Sequence, residues 1–135
     1  MKLNLSYIAD RGELKGERLV MVAAEDIDLG DYLVLCTRYE GTQLTTAVAA
    51  TFWFPDEPLK KGDRVILYTK AGTPSSRDRA SGGKSHFHYW GLEASLWSKA
   101  ENGVVLLHAA SWLSNRSDAL PSAPPVNVAA AVPVD

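Results

Sequence analysis

Phe52–Thr69, FWFPDEPLKKGDRVILYT, is the stretch whose reading decides the fold. Phe52-Trp53-Phe54 is an aromatic strand, and Pro55 and Pro58 bracket Asp56-Glu57 just after it. Proline cannot donate to a ladder, so the strand ends there. Leu59-Lys60-Lys61-Gly62-Asp63 then reads as a turn in which Gly62 supplies the positive φ that other residues avoid. Arg64–Thr69 follows as an apolar strand. Two strands joined through proline and glycine form the unit of an antiparallel, all-β protein.

Working upstream, Leu3, Leu5 and Tyr7 alternate on one face of a short strand that Asp10-Arg11-Gly12 breaks. Glu17–Ala24 is apolar on both alternations, which predicts a central strand covered on both sides or one paired beneath a loop. Asp26–Asp31 closes a tight turn before a strand over Tyr32–Arg38. Glu40–Thr46 is polar with one glycine and reads as a loop leading into a strand at Ala49–Phe54.

Downstream, Lys70–Lys84 is almost entirely small, polar or charged and reads as a long flexible excursion. His86–Leu92 alternates His86, His88 and Trp90 against Phe87 and Tyr89, as a strand with two bulky faces does. After Leu96-Trp97, Glu101-Asn102-Gly103 is a hairpin-type turn into a last strand, Val104–Ala109. About eight short strands with no helical period predict an antiparallel immunoglobulin-like β-sandwich with little helix. Residues 1–114 form the expected sandwich domain. Residues 115–135, with Pro121, Pro124, Pro125 and Pro133, form an expected Pro/Ala-rich extended tail in which Val126–Val132 has the pattern of an edge strand.

Length and charge bound the function. At 135 residues, 46% hydrophobic and 22% charged, the chain is one globular domain. A formal net charge of −2 offers no overall field for phosphate backbones or anionic membranes, so nucleic acid is not the favoured partner and no membrane partner is expected. Cys36, the only cysteine, sits in an apolar run and reads as a core residue with no disulfide. The N-terminal MKLNLSYIAD lacks the apolar core of a signal peptide, and no segment has the roughly 20 apolar residues of a membrane span, so a cytoplasmic location is expected.

Taken in order, these features resemble the lamin-tail domain from about Leu5 to Trp112. Phe54-Pro55, Leu59-Lys60-Lys61-Gly62 and Val65-Ile66-Leu67-Tyr68 are similar to that family's Phe-Pro, Leu…Gly turn and following strand. Trp90-Gly91-Leu92, Leu96-Trp97 and Gly103–Leu107 resemble its next landmarks, and Glu17–Met21 with Leu29-Gly30-Asp31-Tyr32 look like its opening strand and turn. Asn102-Gly103 leads straight into Val104, where family members commonly show a Gly-Asp or Glu-x-Val pair before the last strand. The resemblance implies an immunoglobulin-like, non-enzymatic module of a bacterial kind that contacts proteins and sometimes DNA, often as an accessory of hydrolases or nucleases. Carrying the module alone, this chain is expected to be a stand-alone binder.

The chemistry-bearing residues point the same way. His86 and His88 lie at i, i+2, and if His108 falls on a nearby strand a three-histidine metal site and a metal-dependent enzyme are open geometrically. No cysteine lies near them and no carboxylate flanks them on that face before Glu93, so structural or surface histidines are the expected reading. The acids at Glu25, Asp26, Asp28 and Asp31 lack the spacing of a calcium loop and read as a solvated turn. No serine sits in a nucleophile elbow, and Gly82-Gly83-Lys84-Ser85 lacks the upstream glycine of a phosphate loop. No catalytic residue, metal or cofactor is therefore assigned. The candidate binding residues are Arg77, Arg79 and Lys84, which make the 70–84 loop locally basic, and Trp112, the tryptophan expected to be partly exposed while Trp53, Trp90 and Trp97 fill core. The expected function is protein binding or self-association through a sheet edge or that loop, as a homo-oligomer if the partner is a second copy. The alternative is a nucleic-acid-binding accessory using the basic loop.

Overall fold

The computed structural model describes residues 1–123. It contains ten strands: β1 (Leu3–Ala9), β2 (Arg18–Ala23), β3 (Ile27–Asp28), β4 (Tyr32–Glu40), β5 (Gln43–Trp53), β6 (Pro58–Leu59), β7 (Arg64–Tyr68), β8 (Ser75–Asp78), β9 (Lys84–Tyr89) and β10 (Asn102–His108). Only two 3₁₀ turns, Leu29–Asp31 and Ser117–Ala119, interrupt them among the described residues. A five-stranded sheet in the order β1-β2-β7-β9-β8 faces a three-stranded sheet, β10-β4-β5, and β3 pairs with β6 beside them. This is an all-β, sandwich-like fold.

Alternation puts Leu19, Met21, Ala23, Val65 and Leu67 of the larger sheet against Tyr32, Val34, Cys36 and Leu106 of the smaller one in a single buried cluster. Phe54, Leu59 and Trp97 close its ends. Cys36 is free and buried, as its apolar context implied. Trp97 is 1% exposed and its indole N–H donates to the Gly103 carbonyl at 3.2 Å.

Three segments differ from their sequence reading. Glu40–Thr46 is not a loop: β4 runs to Glu40 and β5 starts at Gln43, joined through Gly41-Thr42 with Gly41 at φ 60°. Lys70–Lys84 is not one long excursion, because Ser75–Asp78 pairs with Lys84–Phe87 as the β8–β9 hairpin. β9 also pairs with β7 in parallel, Val65 opposite His86 and Leu67 opposite His88, so one ladder of the sandwich is not antiparallel. Pro58 sits inside the two-residue ladder of β6, where edge position tolerates its missing donor. The edge strand read over Val126–Val132 lies outside the described residues.

Candidate interaction surfaces

The acids of the 26–31 turn have partners. Asp28 Oδ1 accepts from the Gly30 and Glu57 amides at 2.9 and 3.0 Å, and Asp26 Oδ1 accepts from the Lys61 amide at 2.8 Å. Two of the three aspartates thus tie the turn to the PDEPLKK segment, a role that the solvated-turn reading missed.

The histidines are likewise tied to carboxylates. His86 is 5% and His88 2% exposed, both on the inner face of β9. His86 Nε2 lies 3.1 Å from Asp63 Oδ2, and Glu57 Oε1 lies 3.0 Å from His88 Nε2 and 3.3 Å from His86 Nδ1. His108 belongs to the other sheet, where it stacks on Tyr32 at 4.7 Å, so the three histidines do not converge. Among the described residues no group of three or more His, Cys, Asp or Glu side chains is arranged to hold a metal ion. A cleft of about 360 Å³ lined by Ile8, Arg11, Trp97, Lys99, Asn102 and Val104 among others has no carboxylate, histidine or cysteine in its wall.

Two buried carboxylates hold the frame of both sheets. Asp63 accepts from the Lys60 and Lys84 amides, each at 3.0 Å, besides meeting His86. Glu17 is fully buried and accepts from the amides of Gly12, Leu96 and Trp97 and from the Thr69 hydroxyl, at 2.7–3.2 Å. Burial pushes the Glu17 carboxyl up, but those four hydrogen bonds outweigh it and its pKa ends below the ordinary 4.5. Burial likewise raises Asp63, and the Lys84 and Lys60 amides with His86 more than reverse it, leaving it below 3.8.

A carboxyl with a folded pKa below its unfolded value stabilises the fold above the unfolded pKa, and that contribution is lost as pH falls through the folded pKa. The urea midpoint is therefore expected to drop as pH is lowered from about 5 through the ordinary carboxylate range and below it. Glu17→Gln should flatten this dependence, and an unchanged midpoint between about pH 5 and pH 3 would contradict it.

The solvent-facing side of β10-β4-β5 is apolar. Register rows place Leu107–Leu33–Trp53 and Val105–Leu35–Thr51 across the three strands, with Val48 opposite Thr37 and Leu44 opposite Tyr39. No position on this face is charged. Leu107, Trp53, Val48 and Leu44 are each 41–48% exposed. Trp53 donates its indole N–H to the Gly30 carbonyl at 2.8 Å, and Trp112, 54% exposed, meets its ring edge-on at 4.8 Å. Trp53 is thus a surface residue rather than core filling, while Trp112 is exposed as its position implied.

The basic candidates lie on the other sheet and are dispersed. Arg77, on β8, places its guanidinium 5.1 Å from the Phe87 ring centre. Arg79 sits in the hairpin turn, its guanidinium donating to the Gly62 carbonyl at 3.1 Å. Lys84 opposes Asp78. Trp112 belongs to the apolar face, so the four candidates do not form one site.

The chain matches no protein-family model and no curated protein. No helix among the described residues is long and apolar enough to cross a membrane.

Proposed function

We propose that this chain is a non-enzymatic interaction module, a cytoplasmic domain of the immunoglobulin-like, lamin-tail kind, that self-associates through the outer face of β10-β4-β5. The observation that carries this reading is the charge-free row structure of that face, centred on Leu33, Leu35, Val105, Leu107 and Trp53. An exposed apolar patch of this size on a soluble domain marks an interface.

A second copy fits because a two-fold interface must be complementary to itself, and an apolar sheet face without charge meets no like-charge repulsion when turned onto its own image. Leu44, Val48, Trp53, Leu107 and Trp112, each 41–54% exposed, are the large side chains that a face-to-face pair would bury, and a specific interface takes about 1,200–2,000 Å² in all. Trp53 and Trp112 supply the large aromatic area that anchors such contacts.

Amide chemical shifts recorded from about 10 μM to 1 mM chain, the range in which an interface of this size exchanges, test the assignment. Concentration-dependent shifts are expected at 33–37, 48–53 and 103–107 and not in β1, β2 or β8. Shifts confined to the other sheet, or none at all, would contradict the reading.

A further inference from the structure

We infer that the acidic cleft at one end of the sandwich, between the start of β1, the 26–31 turn and the end of β10, binds a small aliphatic primary ammonium ion through Asp28, Asp31 and the Tyr32 hydroxyl. The inference does not rest on self-association.

The fold assembles this cleft from distant pieces of chain. Its volume is about 240 Å³, and Lys2, Asp26, Asp28, Asp31, Tyr32 and His108 line it. β10 ends opposite the start of β4, which sets His108 against Tyr32 with their rings stacked at 4.7 Å and 12°. Asp28 caps the 3₁₀ turn Leu29–Asp31, and Asp31 is the last residue of that turn, so both carboxylates reach the cleft from the short segment that enters β4.

The Tyr32 hydroxyl needs a partner. Tyr32 is 1% exposed, and its hydroxyl is enclosed without a hydrogen bond. Buried hydroxyls are paired as a rule, and one left unpaired costs stability that a bound ligand can return. Burial raises its pKa above the ordinary 10.0, and the charges of Asp31 and Glu25 raise it further. A ligand therefore meets a neutral phenol in a negative field.

The carboxylates are positioned without being neutralised. Backbone amides hold Asp26 Oδ1 and Asp28 Oδ1, which fixes both side chains and leaves their charge in place. Asp26 meets the exposed Lys60 ammonium at 3.7 Å, while among the described residues Asp28, Asp31 and Lys2 form no ion pair. Three aspartates against one lysine leave the lining negative.

Charge, size and donor count select the ligand. A cleft smaller than the roughly 300–1,000 Å³ of drug-sized sites takes only a few atoms. A primary ammonium brings three N–H donors, enough for Asp28, Asp31 and the Tyr32 oxygen together, whereas a quaternary ammonium brings none. Its short alkyl chain finds Ile27 and the paired Tyr32 and His108 rings beside it. A metal ion fits less well, because no three His, Cys, Asp or Glu side chains among the described residues are arranged to hold one.

Amide chemical shifts of the full chain, titrated with n-butylammonium chloride at neutral pH and low salt, test the inference. Saturable shifts are expected at 26–32 and 108–109, with a Kd of about 5 mM or below, within the per-atom limit for so small a ligand. Asp31→Asn should weaken binding by about tenfold, the loss of one hydrogen bond to a charged group. Tyr32→Phe should weaken it by about fivefold while the thermal midpoint stays the same or rises, because the unpaired hydroxyl is gone. Glu93→Gln, outside the cleft, should bind as the unmodified chain does. Saturable binding by a chain that stays monomeric would still support the inference. Absence of saturation, indifference to Asp31→Asn or Tyr32→Phe, or equal or tighter binding of tetramethylammonium or calcium would overturn it. The last two would identify a cleft that reads charge alone and a metal site.

Discussion

Glu17→Ala is expected to lower the unfolding free energy by about 3–5 kcal/mol, the range for removing one side of a buried, hydrogen-bonded charge network. For a domain of this length that corresponds to a thermal midpoint lower by roughly 10–20 °C. The carboxylate gathers the amides of Gly12, Leu96 and Trp97 and the Thr69 hydroxyl at 2.7–3.2 Å, with no exposure to water. Alanine leaves three amides and a hydroxyl without their acceptor and a cavity beside Trp97. The effect is also topological, since Glu17 joins the turn after β1, the start of β2, the end of β7 and the segment entering β10. Urea unfolding at neutral pH measures it, and a loss under about 1 kcal/mol would show that water or backbone shifts replace the carboxylate at little cost.

That role illustrates what the sequence could and could not tell. Glu17 precedes LVMVAA and reads locally as the polar first residue of an apolar strand. Its partners lie 5, 52, 79 and 80 residues away, so no local pattern carries them. Asp63 and Glu57 were hidden in the same way, within a turn whose glycine and prolines explained its shape.

The FWFPDEPLKKGDRVILYT segment was legible because its signals are steric. Pro55 stops β5 at Trp53, and Gly62, at φ 91°, turns the chain into β7. Continuous apolar runs likewise located the core strands β2, β4, β7 and β10, and alternation located β9. The first half of β5 and all of β8 were not legible, because each is largely exposed on both faces. QLTTAV and SSRD contain no apolar alternation to read.

The two surfaces were half legible for a related reason. Arg77 and Lys70 read as basic in the sequence, but Arg18 and Arg64 join them only through the parallel β7–β9 ladder, and parallel partners are set by the whole topology. Trp53 was assigned to the core because aromatic strands usually are. Register places it on the outside, opposite Leu33, while Phe52 and Phe54 beside it point in.

The second large effect concerns self-association. Trp53→Glu with Leu107→Glu puts two charges on the face proposed to pair, and burying them against a second copy's Leu33, Leu35 and Val105 would leave each without a partner. The pair is expected to weaken by at least 100-fold, or about 2.7 kcal/mol. Both side chains are more than 40% exposed in the single chain, so the folded domain should tolerate the change. Circular dichroism and the thermal midpoint of the variant verify that.

Sedimentation equilibrium of the unmodified chain and of this double variant is the most direct measurement. A monomer–dimer equilibrium is expected for the unmodified chain with a Kd of about 10 μM, within the micromolar-to-picomolar span of specific interfaces. A monomer is expected for the variant at the same concentrations. A monomeric unmodified chain at 100 μM, or about tenfold above that Kd, or a dimer that survives both glutamates, would contradict the claim that the outer face of β10-β4-β5 joins two copies.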